Sequence, residues 1–180
     1  MSDVLRLTLV SHAMTDAMAT GRFPLDEPLS DIGRRQVKSS AAVQDCRHFA
    51  APERRARETA ELLGLRPIVE PRLADLDCGT WRGRPLTAID PRALETWLFN
   101  PACAPHGGES IVDLTRRVGG WLGSLGDDAS PTAAVTHPAV VRAAILFALD
   151  APPKSFWRLD IEPVSRTVLH FRNGRWTLRS

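Results

Sequence analysis

The chain has 180 residues, 43% hydrophobic and 24% charged, which are values of a globular domain and exclude a disordered or fibrous chain. A formal net charge of +2 gives no electrostatic footprint for nucleic acid or an anionic membrane. No run reaches the ~18 consecutive apolar residues of a membrane span.

Lysine occurs only at Lys38 and Lys154. Arginine therefore supplies nearly all the positive charge, and its planar fork suits phosphate or carboxylate ligands. The cysteines, Cys46, Cys78 and Cys103, are widely spaced and form no CxxC pair. A disulfide framework and a zinc site are both disfavoured. The first residues carry no basic segment followed by a long apolar one, so a cytoplasmic protein is expected.

Leu5 to Val10 reads as a buried strand, followed by a loop over 14–28 punctuated by Gly21, Pro24 and Pro28. Ser30 is a candidate cap for a helix to about Gln44. A short strand is expected over Arg47–Ala51, then a helix from about Glu53 to Leu63 closed by Gly64, then a strand over Pro67–Glu70. Residues 71–108 read as irregular with a short helix at Pro91–Phe99, Pro91 suiting its first turn. Ser110 begins a capping box with Asp113 in place of Glu, opening a helix to about Leu125. Thr132–Thr136 is a strand and Pro138–Leu149 an apolar helix expected to pack on both sides. Ser165–Arg172 and Arg175–Arg179 flank Asn173-Gly174, a strong hairpin signal. The alternation predicts one α/β domain over 1–180: a three-layer sandwich with a mostly parallel central sheet, helices on both faces and an antiparallel C-terminal hairpin.

His12 and His137 each follow one of these strands, where open α/β sheets bind ligands. Pro138 opens a helix beside His137, and helix N-termini favour anions. Arg54, Arg55 and Arg57 cluster at another helix start. Dinucleotide and P-loop glycine patterns are absent. Gly108-Glu109-Ser110-Ile111-Val112 fails the nucleophile-elbow pattern at its last position.

Seven stretches in order resemble the histidine phosphatase superfamily, in its phosphoglycerate-mutase-like branch. They are Ser11-His12-Ala13-Met14-Thr15, Gly21-Arg22-Phe23, Leu29 to Gln36, Ala51 to Ala60, Leu73 to Gly83, Pro105 to Ser110 and Val135 to Arg142. The resemblance implies a phosphomonoesterase in which His12 is the nucleophile and forms a phosphohistidine that water hydrolyses. A neutral imidazole near its ordinary pKa of about 6.5 suits that role. His137 would stabilise the transferring phosphoryl and Arg55 would clamp it. Asp75 would be the general acid, where the family usually has Glu, with Asp77 the weaker candidate. Ser11, Thr15 and Arg22 complete the expected substrate-binding set.

The implied substrate is a small phosphorylated metabolite, with no cofactor, no metal, no nucleic acid and no membrane; the oligomeric state is left open. The chain departs from the pattern at its start: the first-motif arginine is Ser11, its Glu is Met14 and a following Asn is Met18. A lost arginine–phosphate contact forfeits about 1.5–3 kcal/mol. Arg22, and after it Arg54, are the candidates to replace it. The alternative reading is a weakened or inactive relative that binds an anionic ligand or a protein partner. A metal site of two histidines and an Asp lacks any short-range ligand pair. His48 and His170 fall on no catalytic position. His106 could line a pocket mouth, and Trp81, Trp97 and Trp121 read as packing.

Overall fold

Leu5, Leu7 and Leu9 are buried, Arg6 is exposed, and Val10 and Ser11 are buried as well. That pattern makes β1 (Leu5–Ser11) a central strand. The computed structural model describes residues 4–43, 47–126 and 129–179. Cys46 and Gln44 lie outside them.

Among the described residues the sheet has six strands in the order β3-β2-β4-β1-β5-β6, adding β2 (Arg47–Ala50), β3 (Ile68–Val69), β4 (Thr132–Thr136), β5 (Arg166–Arg172) and β6 (Arg175–Arg179). The β1–β4, β2–β4 and β2–β3 pairs are parallel, whereas β5 runs antiparallel to both β1 and β6. All five residues of β4 are buried, as expected of a strand covered on both faces. Asn173 and Gly174 both have positive φ, +52° and +73°, the conformation the two-residue hairpin requires.

Among the described residues six α-helices surround the sheet: α1 (Asp16–Ala19), α2 (Asp31–Lys38), α3 (Arg54–Leu62), α4 (Pro91–Phe99), α5 (Ile111–Ser124) and α6 (Pro138–Ala148). Helix α2 packs on α3, and α5 on α6. As the sequence predicts, α6 is heavily buried, through Val140, Val141, Ala143, Ala144, Ile145 and Leu146. The Ser110 hydroxyl accepts from Asp113 N and donates to the Asp113 carboxylate, capping α5.

Three expectations are corrected. Helix α2 ends at Lys38 rather than near Gln44, because the Ser39 and Ser40 hydroxyls take the carbonyls of Gln36 and Val37. The loop over 14–28 holds the short α1, capped by the Thr15 hydroxyl. The strand predicted over Pro67–Glu70 is only Ile68–Val69, since the Glu70 side chain instead caps a 3-10 turn at Pro71–Leu73. Beyond α6, Pro153–Arg158 forms a 3-10 segment that buries Phe156.

Candidate active site

The sheet register brings the two histidines together. Ser11 pairs with Thr136 across the parallel β1–β4 ladder, so the next residue of each strand leaves the same edge side by side. The His12 N–H donates to the Thr136 carbonyl at 2.9 Å. The two imidazole centroids lie 5.1 Å apart at 67°, and both rings are buried.

His12 Nδ1 lies 2.8 Å from the Ala13 carbonyl. A carbonyl only accepts, so Nδ1 carries the proton and Nε2 keeps its lone pair. Burial, then the charges of His137 and Arg55, push the His12 pKa down to about 3. The expectation of a ring near 6.5 is thereby corrected: His12 is neutral throughout the physiological range.

The motif residues around this turn act on its backbone. The Ala13 N–H donates to Thr59 Oγ1 at 3.1 Å, and that hydroxyl donates to the Arg55 carbonyl. Both the backbone N–H and the hydroxyl of Ser30 donate to the Met14 carbonyl, each at 3.0 Å. The Met14 N–H donates to Gln36 Oε1 at 3.2 Å. A Cβ on Gly33 would stand 2.2 Å from the Met14 oxygen, so only glycine lets α2 approach this closely.

Arg55 is 2% exposed. Its guanidinium donates to Asp75 Oδ2 at 2.6 Å and to the Leu25 carbonyl at 2.8 Å. For Asp75, burial acts upward, but His137, Arg55 and His12 outweigh it and hold the carboxyl at about 2. His137 faces a carboxylate at each ring nitrogen: Nε2 is 2.7 Å from Glu53 Oε2, and Nδ1 is 3.4 Å from Asp75 Oδ2. Glu53 also accepts from the Asp75 N–H at 2.9 Å. Burial raises the Glu53 pKa, but the hydrogen bond and charge of His137 more than offset it, and the net direction is down.

Glu53 is a residue the sequence did not single out. Its partner lies 84 positions away, which no local pattern reports. Arg117 is another. It grips Glu109 with two hydrogen bonds of 2.8 and 2.7 Å and donates to the carbonyls of Arg72, Ala74 and Asp75. It thereby fixes the segment that carries Asp75.

The remaining expected residues separate. Thr15 and Arg22 line one cavity with His12, Arg55 and Asp75. Arg54 turns away, its Nε bound to Glu58 at 2.7 Å. Asp77 accepts from Gly79 N and pairs with Arg82, outside both cavities that Asp75 lines. Ser11 is fully buried at the end of β1, outside these linings. His106 packs against Trp81 and Trp97 rather than lining a mouth. Among the described residues no three His, Cys, Asp or Glu side chains are grouped to hold a metal ion, and no helix is long and apolar enough to cross a membrane.

Several buried polar atoms here have no hydrogen-bond partner among the described residues: Arg55 Nε, His137 Nδ1 and Ser11 Oγ. A buried donor left unpaired costs about 1–3 kcal/mol. The Arg55 Nε–H is thus a free donor on a permanent cation beside a neutral imidazole, an arrangement able to hold an anionic oxygen.

Comparison with known proteins agrees. The chain is 28% identical to phosphoserine phosphatase 1 of Hydrogenobacter thermophilus, over 96% of this chain and 89% of that protein. It is 33% identical to the glucosyl-3-phosphoglycerate phosphatase of Mycolicibacterium vanbaalenii, over 86% and 78%. The solved structure of a mycobacterial glucosyl-3-phosphoglycerate phosphatase complexed with VO3 superposes with a TM-score of 0.83, at 28% identity and covering 97% of each chain. The sequence profile of the histidine phosphatase superfamily (branch 1) matches residues 7–180, and the chain belongs to that superfamily.

Proposed function

We propose that the protein is a metal-independent phosphomonoesterase working through a phosphohistidine on His12, with a small phosphorylated metabolite as substrate. The observation that carries this reading is the unpartnered buried Arg55 Nε, with the His137 ring 5.1 Å from His12, beside a neutral His12 whose Nδ1 is already engaged. Phosphatase relatives and the family assignment support it.

His12 Nε2 attacks phosphorus, the P–N bond forms, and the ester P–O bond breaks. Arg55 and His137 take up the charge on the equatorial oxygens. The departing oxygen receives a proton from Asp75. That carboxyl is ionised while Arg55 and His137 face it. An arriving phosphate dianion draws the Arg55 and His137 donors to itself and repels the carboxylate, so Asp75 takes up a proton from solvent as the substrate binds and holds it for the leaving oxygen. Water then attacks phosphorus, passes its proton to Asp75 and releases phosphate from His12. Glu53 holds His137 in orientation through Nε2, leaving Nδ1 for the phosphoryl.

The test is hydrolysis of p-nitrophenyl phosphate across pH 5–8 in chelator, beside His12→Ala. Turnover that resists chelator and disappears in the variant, with an acid-labile phosphoenzyme trapped only in the unsubstituted protein, is expected. Equal rates in the two proteins would sink the proposal and leave the binding of an anionic ligand without chemistry.

A further inference from the structure

The cavity that opens from His12 has a wall unlike the charged floor beside it. Phe23, Leu76, Trp97, Ala139 and Trp157 supply apolar surface, and Arg142 stands among them. Trp97 links this wall together: its ring lies 5.6 Å from Phe23 and 4.5 Å from Trp157. The Arg142 guanidinium sits 5.6 Å from the Trp157 ring centroid on the far side of that chain of rings.

Two features of the wall are unspent. Arg142 uses Nε to reach the Leu159 carbonyl at 2.8 Å. Its outer nitrogens make no hydrogen bond or ion pair among the described residues. Asp160 and Asp75 act on it only through their charge, and burial presses its pKa down. Trp97 is 7% exposed, and its indole N–H is buried without an acceptor. A half-buried cation and an orphan donor on an apolar wall match a ligand with an apolar body and an acidic end.

The cavity measures about 180 Å³. That volume also holds the phosphoryl beside His12, Arg55 and Asp75, and a cavity of about 150 Å³ suffices for benzene, so the apolar body it admits is no larger than one ring.

We infer that the leaving group of the substrate is an apolar body of about one ring carrying a carboxylate, the body lying on the Phe23–Trp97–Trp157 wall and the carboxylate pairing with Arg142. This rests on the phosphatase reading of the same site. It specifies a class that a hydroxylated leaving group such as serine or glycerol would fill poorly.

The experiment compares benzyl phosphate, 4-carboxybenzyl phosphate and glycerol 3-phosphate, whose leaving alkoxides are alike in reactivity. Benzyl phosphate is expected to exceed glycerol 3-phosphate in kcat/KM by about tenfold or more, from ring burial. The 4-carboxyl group is expected to add about another tenfold, mostly in KM. In Arg142→Met the 4-carboxybenzyl to benzyl ratio falls to about one. A ratio within one variant does not depend on how much of it is folded.

A wild-type ratio of one or less, a ratio unchanged in Arg142→Met, or a preference for glycerol 3-phosphate overturns the inference. If none of the esters turns over, hydrolysis of p-nitrophenyl phosphate decides the phosphatase reading separately. The same three ligands, measured by thermal shift and calorimetry, then give Kd ratios that decide the pocket's selectivity on their own.

Discussion

Lowering the pH from 7.5 to 5 is expected to remove roughly 2 kcal/mol of folding stability through His12 alone. Its pKa is about 3 in the folded protein against 6.5 for the ordinary side chain, with burial the largest cause and the His137 and Arg55 charges next. A depressed folded value means that stability is fully present above 6.5 and is lost as the pH falls toward 3, because only the unfolded chain takes the proton. Each pH unit in that window is worth about 1.4 kcal/mol, and pH 5 lies about 1.5 units below the unfolded value. The loss is large against a typical total stability of about 5–15 kcal/mol.

The assay is urea unfolding at both pH values for the wild type and for His12→Asn, which keeps a donor near the Ala13 carbonyl but does not titrate. His106 and His170, also shifted downward by burial, contribute equally to both proteins and drop out of the difference. The variant is expected to lose about 2 kcal/mol less than the wild type on acidification. Equal losses would refute the claim that His12 is held neutral by its surroundings. The corollary for activity is that the acid limb of kcat/KM between pH 5 and 7 does not arise from protonation of His12.

Glu53→Gln keeps one acceptor oxygen but puts an amide nitrogen, which only donates, at the other position and discards the charge facing His137, so a loss of about 1 kcal/mol and a five- to tenfold lower kcat are expected. Glu53→Leu leaves His137 Nε2 and the Asp75 N–H unpaired and is expected to cost about 2–4 kcal/mol; equivalence of the two variants in urea midpoint and rate would contradict the role given to Glu53. Asp75→Asn strips the ionised partner from the buried Arg55 and is expected to destabilise by about 3 kcal/mol, read as the shift in urea midpoint at pH 7.5. Arg117→Ala is expected to cost about 2 kcal/mol and to lower kcat more than it raises KM, because it loosens the Asp75 segment without touching the cavity. Arg117→Lys restores part of the melting temperature, and a kcat unaffected by either change would remove Arg117 from the positioning of Asp75.

The elements that sequence located well are those whose signals are local. Ser110 with Asp113, Pro91, Pro138 and Asn173-Gly174 mark boundaries through chemistry within three residues of themselves, and the structure places ends there. The tail of α2 is not legible in sequence because Ser39 and Ser40 compete for its last carbonyls, an effect no apolar periodicity reports. The α1 turn is equally silent, because four residues offer no period and Gly21, Pro24 and Pro28 dominate the segment.

The sequence alone determined that two histidines follow strands, that an arginine opens a helix, and that an acid lies in the fifth stretch of the pattern. A strand's composition and the residue after it are written consecutively, so these facts need no folding to be read. Tertiary structure alone decided how those groups act on one another. The β1–β4 register sets the imidazoles 5.1 Å apart, burial keeps the His12 ring neutral, and Glu53 reaches His137 across 84 residues. Proton affinity depends on desolvation and on charges a few ångströms away, and neither distance nor dielectric exists until the chain has closed on itself.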